Sequence, residues 1–256
     1  MSDPIRSAIE AAQGPALCAY LTGGFPDPAT FPDALEAVSG AAEVVEVGVP
    51  FTDPMADGLT IQEASRRALS AGVTLEWILD TLAEMNPRLV APSVLMGYYN
   101  PFLAFGLDRL AARMAEAGVS GVIVPDLPLE ESGPMTAALD EHGLAMVRLV
   151  TPSTPPRRMA RLAAASRGFV YAVTSAGVTG GEVGIGQGMI DYLGRVQAAS
   201  KLPVLAGFGV RHRRQVEALA PHVDGVVVGS ALVEAVDRGD DPAVFLNGLR
   251  PGEVGS

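Results

Sequence analysis

Short runs rich in valine, isoleucine and leucine recur along the chain, and each gives way to a stretch of helical periodicity. The runs fall at 16–22, 44–50, 89–97, 121–125, 145–151, 169–174, 203–208 and 225–229 and read as strands. Most successive starts are one βα unit apart. The exception is the interval between the second and third strands, which holds two helical segments. The first is expected to open on Thr60-Ile-Gln-Glu63 as a capping box and to bury Ile61, Ala64, Ala68 and Leu69 on one face, with Gly72 as its stop. The second is expected to start after Thr74 and to end before Pro87.

Eight strands alternating with helices predict a closed (β/α)8 TIM barrel spanning residues 1–256 as one domain, with extra helices at the N-terminus and after strand 2. An open doubly wound sheet is the competing fold. The first strand is not followed by G-x-G-x-x-G, which counts against it. No shift of composition and no Ser/Pro-rich linker divides the chain.

Composition narrows the partners. Hydrophobic residues make up 48% and charged residues 18%, enough apolar material for a large core. A net charge of −11 argues against nucleic acid, whose phosphates recruit basic surfaces. No apolar run is long enough to span a membrane, and residues 1–13 carry Asp3, Arg6 and Glu10 where a signal peptide needs an apolar segment. Cys18 is the only cysteine, and His142, His212 and His222 are not at ligand spacing. These features predict a cytoplasmic protein without a disulfide or a metal site.

Within the second strand, Val44-Val45-Glu46-Val47-Gly48, alternation turns Val45 and Val47 toward the helices and Val44, Glu46 and Gly48 into the barrel. A carboxylate among valines loses its hydration, so its pKa is expected to rise into the range useful for a general acid or base. The competing reading is a structural glutamate neutralised by a buried cation, for which Arg148 is a strand-borne candidate. The following loop places Asp57 beyond Glu46 at the barrel mouth. A second carboxylate there would push the two pKa values apart, although Asp57-Gly58 is also an ordinary turn signal.

Glycines cluster where TIM barrels bind phosphate. Strand 7 ends in Ala206-Gly207-Phe208-Gly209 and strand 8 in Val228-Gly229-Ser230, offering backbone N–H groups and a hydroxyl. The 177–188 loop is half glycine and reads either as a lid over substrate or as a surface connection. Arg211-His212-Arg213-Arg214 reads either as a steering patch or as a solvated helix start, the more ordinary of the two.

Glu46-Val-Gly-Val-Pro-Phe-Thr-Asp-Pro-Met-Ala-Asp-Gly58, with Thr60-Ile-Gln62, resembles the signature of the tryptophan synthase alpha chain family. Tyr20-Leu-Thr-Gly-Gly24, Met96-Gly-Tyr-Tyr-Asn-Pro101, Val124-Pro-Asp-Leu-Pro128, Gly177-Val-Thr-Gly180, Gly207-Phe-Gly209 and Gly229-Ser230 are similar to further blocks of that family. The resemblance implies retro-aldol cleavage of indole-3-glycerol phosphate to indole and glyceraldehyde 3-phosphate. Glu46 is the implied acid/base at the ring carbon, and Asp57 the group at the indole N–H. It implies an apolar indole slot from Tyr20, Met96, Val150, Tyr171 and Phe208 with Tyr98 beside it. Thr179 and Gly180 are the implied lid positions, and Gly209, Gly229 and Ser230 complete a phosphate cup. It further implies no cofactor in this subunit and a pyridoxal-phosphate beta subunit as partner in an α2β2 heterotetramer, with contacts at Asp53-Pro54, Asn100 and Pro128. A stand-alone lyase and a non-catalytic ligand-binding regulator are the alternatives. The sequence departs from the family pattern at Leu59, Ser175 and Arg211.

Overall fold

The computed structural model describes residues 3–174, 185–207 and 209–252. Eight strands, β1 (Ala16–Thr22), β2 (Val44–Gly48), β3 (Ser93–Met96), β4 (Val119–Ile123), β5 (Ala145–Val150), β6 (Val170–Val173), β7 (Val204–Gly207) and β8 (Gly225–Val228), pair in chain order. All pairings are parallel, and β8 closes on β1 with Gly225 opposite Ala16. The β1, β2 and β8 side chains are buried throughout, because neighbouring strands wall one face and helices cover the other. That is why these strands read as continuous apolar runs.

The helices are α1 (Pro4–Glu10), α2 (Phe31–Ser39), α3 (Leu59–Ser70), α4 (Leu75–Met85), α5 (Tyr99–Phe105), α6 (Leu107–Glu116), α7 (Gly133–Glu141), α8 (Pro156–Ala165), α9 (Gln187–Ala199), α10 (Arg213–Leu219), α11 (Ser230–Asp237) and α12 (Pro242–Leu249). The expected extra helices are α1 and the α3/α4 pair. Asp3 caps α1, accepting from Ile5 N and Arg6 N at 3.1 Å each, and it also accepts from Gly168 N at 2.8 Å. One carboxylate thereby ties the N-terminal helix to the entry of β6. Among the described residues, no helix is long and apolar enough to cross a membrane.

Two local expectations are corrected. The third strand begins at Ser93, not residue 89, because Asn86–Arg88 form a 3-10 turn and Val90 stays exposed. The capping box at Thr60 does not form. Gly58 is already extended (φ −73°, ψ 164°), so α3 starts at Leu59 and Thr60 lies within its first turn. Thr60 Oγ1 donates instead to Glu234 at 3.0 Å, and Glu63 pairs with Arg66. Ile61, Ala64 and Ala68 are buried as expected, while Leu69 is half-buried. At Thr74 the cap does form, its hydroxyl accepting from Trp77 N at 3.1 Å.

Register places Tyr20 beside Glu46 and Gly48 beside Met96. Gly48 and Gly207 are two of the positions where close approach favours glycine. A Cβ on Gly48 would collide with the Tyr20 hydroxyl, and one on Gly207 with the Tyr171 hydroxyl. The two tyrosine rings thus occupy room inside the barrel that the glycines leave open.

Candidate active site

Glu46 sits on the inner row of β2 with 1% of its surface exposed. Cys18, from the inner row of β1, donates its thiol to Glu46 Oε2 at 3.8 Å. Burial pushes the Glu46 carboxyl up to about 8, the Asp57 charge adds to the rise, and the Cys18 hydrogen bond opposes it. Glu46 is therefore protonated at neutral pH yet within reach of ionisation. The alternative of a structural glutamate neutralised by Arg148 fails on the pleat. The Arg148 side chain points outward from β5 and donates to Ser132 Oγ at 2.8 Å and Thr136 Oγ1 at 3.1 Å, on the helix side.

Asp57 sits in the loop between β2 and α3, where the backbone bond from Asp57 N to the Pro54 carbonyl at 3.1 Å is joined by side-chain contacts. Tyr98 Oη accepts from Ala56 N at 2.8 Å and donates to Asp57 Oδ2 at 3.0 Å. Gln62 Nε2, one turn into α3, donates to the Asp57 carbonyl at 2.9 Å. Partial burial raises the Asp57 pKa and the Tyr98 hydroxyl lowers it. Both carboxyls are thus raised by burial, and the Tyr98 hydroxyl opposes the rise at Asp57 as the Cys18 thiol opposes it at Glu46.

A small cavity opens beside the pair, lined by Tyr20, Val49, Phe51, Asp57, Met96, Tyr98 and Pro125. Phe51 stacks on Tyr98 at 5.2 Å. Tyr20 bonds to Thr22 Oγ1 at 3.2 Å, and burial beside the two carboxylates pushes the Tyr20 and Tyr171 hydroxyls upward, so both rings stay neutral walls. Tyr20, Met96 and Tyr98 line this cavity, and Tyr171 on the inner row of β6 stands near the Glu46 carboxyl. Val150 is not on that row. It pairs with Ala172 and shares its strand face with the outward Arg148, whereas Leu149 pairs with Tyr171 on the inner row. The β5 residue on the inner row is Leu149, one residue earlier. Phe208, Thr179 and Gly180 lie outside the described residues, as do Ser175 and most of the expected lid.

At the ends of the neighbouring strands β7 and β8, Gly209 adopts φ +87° and Gly229 immediately precedes α11. The N–H groups of Ser230 and Ala231 occupy the first turn of α11, where no intrahelical acceptor exists, so they are available to an anion. Gly229 lies against Tyr20: an added Cβ would be 3.7 Å from that side chain. The basic run resolves as a helix start, with a capping box between His212 and Gln215, an Arg211–Glu234 ion pair and Arg213 bonded to the Gly248 carbonyl at 3.1 Å. The sequence reading missed the parts of Cys18, Gln62, Phe51 and Leu149. Cys18 was findable, because it shares the alternation of Tyr20; the others depend on loop and register geometry.

The family model for the tryptophan synthase alpha chain matches residues 7–247. The tryptophan synthase alpha chain of Nitratidesulfovibrio vulgaris (strain DP4) is 46% identical over 243 residues, covering 94% of both chains. That of Geobacter sulfurreducens is 43% identical over 242 residues, with 92% of each covered. Among solved structures, aminoacrylate-bound tryptophan synthase from M. tuberculosis superposes with a TM-score of 0.87 at 36% identity, covering 97% of this chain and 98% of that one. Tryptophan synthase subunit alpha from Legionella pneumophila gives 0.87 at 31% identity, with 98% of each covered. A match across nearly the whole barrel, at this identity, shows that the chain belongs to the tryptophan synthase alpha chain family, lyases of tryptophan biosynthesis.

Proposed function

We propose that Glu46 and Asp57 together cleave indole-3-glycerol phosphate. The observation that carries this reading is the buried Glu46, protonated up to about pH 8, beside an Asp57 whose charge Tyr98 supports. Glu46 delivers its proton to the indole carbon that bears the glycerol phosphate chain, leaving a positive charge on the ring nitrogen. Asp57 accepts the ring N–H and stabilises that charge. The carbon–carbon bond then breaks with its electron pair returning to the ring. The adjacent hydroxyl becomes the aldehyde of glyceraldehyde 3-phosphate, and its proton restores Glu46. Protons and electron pairs balance without an organic cofactor in this subunit. Each acid/base group of this kind contributes about 10²–10⁴-fold.

The N–H groups at Gly209, Gly229 and Ser230 are the phosphate cup in this reading, and Tyr20, Met96, Leu149 and Tyr171 the indole slot. The partner is a pyridoxal-phosphate beta subunit in an α2β2 assembly, working in the cytoplasm. Met55 and Leu59, 93% and 83% exposed on either side of Asp57, support a docked protein over this loop, since large apolar side chains on a rim mark contact surfaces. The chain acts as one domain, because site residues come from β1, β2, β6 and the start of α11. The test is indole formation from indole-3-glycerol phosphate by the purified chain, with and without a beta subunit. Absence of indole in both assays would overturn the catalytic reading, and equal rates would remove the partner.

A further inference from the structure

When Glu46 gives its proton to carbon, it becomes a carboxylate sealed inside the barrel. An unpaired buried charge costs several kcal/mol, so the ionised interval needs a donor. Among the described residues, the titratable groups facing Glu46 are Cys18 and Tyr20 from β1, Asp57 from the loop and Tyr171 from β6. Asp57 opposes a second negative charge. Tyr20 shares its hydroxyl with Thr22. Cys18 Sγ lies 3.8 Å from Glu46 Oε2, and both side chains are buried. Burial and the neighbouring Glu46 push the thiol well above its ordinary range, so it stays protonated and remains a donor throughout the working pH range.

We propose that Cys18 is a positioning residue for the cleavage, its thiol holding the Glu46 carboxyl in one place and supporting it during the interval in which its proton is on the substrate. This rests on Glu46 being the acid. The weakness of the thiol is what makes it suitable. A strong donor would stabilise the carboxylate so far that Glu46 could not protonate carbon. An apolar side chain would leave the charge unsupported and make the proton too hard to release. Cys18 opposes the two influences that raise Glu46, and it does so from the floor of the site, where it leaves the substrate side open.

The experiment compares Cys18→Ala, Cys18→Ser and Glu46→Gln in the full-length chain. Cys18→Ala removes the donor and leaves a void smaller than a water molecule. Cys18→Ser keeps a donor, which engages Glu46 once the carboxyl shifts about 1 Å toward it, since an O–H···O bond is about 2.7 Å long against the 3.8 Å of the thiol contact. Two quantities are read: the pH profile of indole formation, and the titration of the Glu46 side-chain carboxyl by 13C NMR, identified by its absence in Glu46→Gln. The second needs no turnover. In Cys18→Ala both midpoints move upward by on the order of half a pH unit, as suits a weak donor. In Cys18→Ser they return to the wild-type position or below. Midpoints that coincide in all three Glu46-containing proteins would overturn the role of Cys18 while leaving that of Glu46 intact. An active Glu46→Gln would instead overturn the reading on which it rests. If Cys18→Ala does not fold, Cys18→Val, which also lacks a donor, takes its place, and a Cys18→Val midpoint no higher than wild type overturns the proposal.

Discussion

The two carboxylates are held by different kinds of structure. Glu46 lies in the middle of a five-residue strand paired on both sides, so its backbone cannot move without breaking ladders to β1 and β3. Asp57 lies in a loop whose course depends on the side chains of Tyr98 and Gln62. One is placed by the barrel and the other by two contacts on its rim. Burial raises both carboxyls, but only the Asp57 loop is free to be settled by an outside contact, so regulation by a docked partner would act through Asp57.

The sharpest way to break the comparison is Glu46→Gln, which keeps the shape and removes the exchangeable proton. Indole formation should fall by at least about 10²-fold. Retention of more than about a tenth of the wild-type rate would exclude Glu46 as the acid. The same variant reports on stability. The folded-state pKa of Glu46 is raised, so its contribution is fully present below the unfolded value of 4.5 and is lost as pH rises toward about 8. Urea melts across this window should therefore show Glu46→Gln gaining on wild type by up to about 1.4 kcal/mol per pH unit. Parallel stability curves would mean that Glu46 is not buried as described.

On the loop side, Tyr98→Phe removes the donor to Asp57 and the acceptor for Ala56. A hydrogen bond to a charged group is worth about 1.5–3 kcal/mol, so kcat should drop about tenfold or more. A change confined to KM would make Tyr98 a pocket wall only. Wild-type turnover should decline as pH rises through about 8, because Glu46 then loses the proton it must deliver. A profile flat from pH 7 to 9 would separate Glu46 from the limiting step. The smallest effect belongs to Leu59→Pro. Leu59 is the first residue of α3 and Gly58 before it is already extended, so proline fits both. Restricting the unbound loop is worth about 0.4–1 kcal/mol, so the solitary rate should rise by roughly two- to fivefold while stimulation by a beta subunit shrinks. A lower solitary rate would show that the loop needs its freedom.

The legibility of these features in the sequence followed the same division. Each of the eight apolar runs holds a strand, with the third starting four residues late and the fourth two residues early, and the phase of β2 was readable because Glu46 marked its own face. In β5 both faces are apolar, so alternation carried no phase. The one marker there was Arg148, whose outward direction is fixed by Ser132 and Thr136 from α7. The slot was consequently assigned to Val150 and not to Leu149. At α3 the pattern Thr60-x-x-Glu63 offered a plausible cap, but the extended backbone of Gly58 decided the helix start. Asp57 was readable as a residue, and its holders Tyr98 and Gln62 were not, because side-chain bonds across a loop leave no periodicity.

Gly48 and Tyr20 also constrain how this barrel can vary over generations. A methyl group at position 48 has no room while the tyrosine ring stands opposite, and the same holds for Gly207 and Tyr171. Each pair has a favoured order of substitution: the ring must move or shrink before the glycine can grow. Lineages that keep the tyrosines are committed to both glycines, and with them to the width of the chamber beside Glu46.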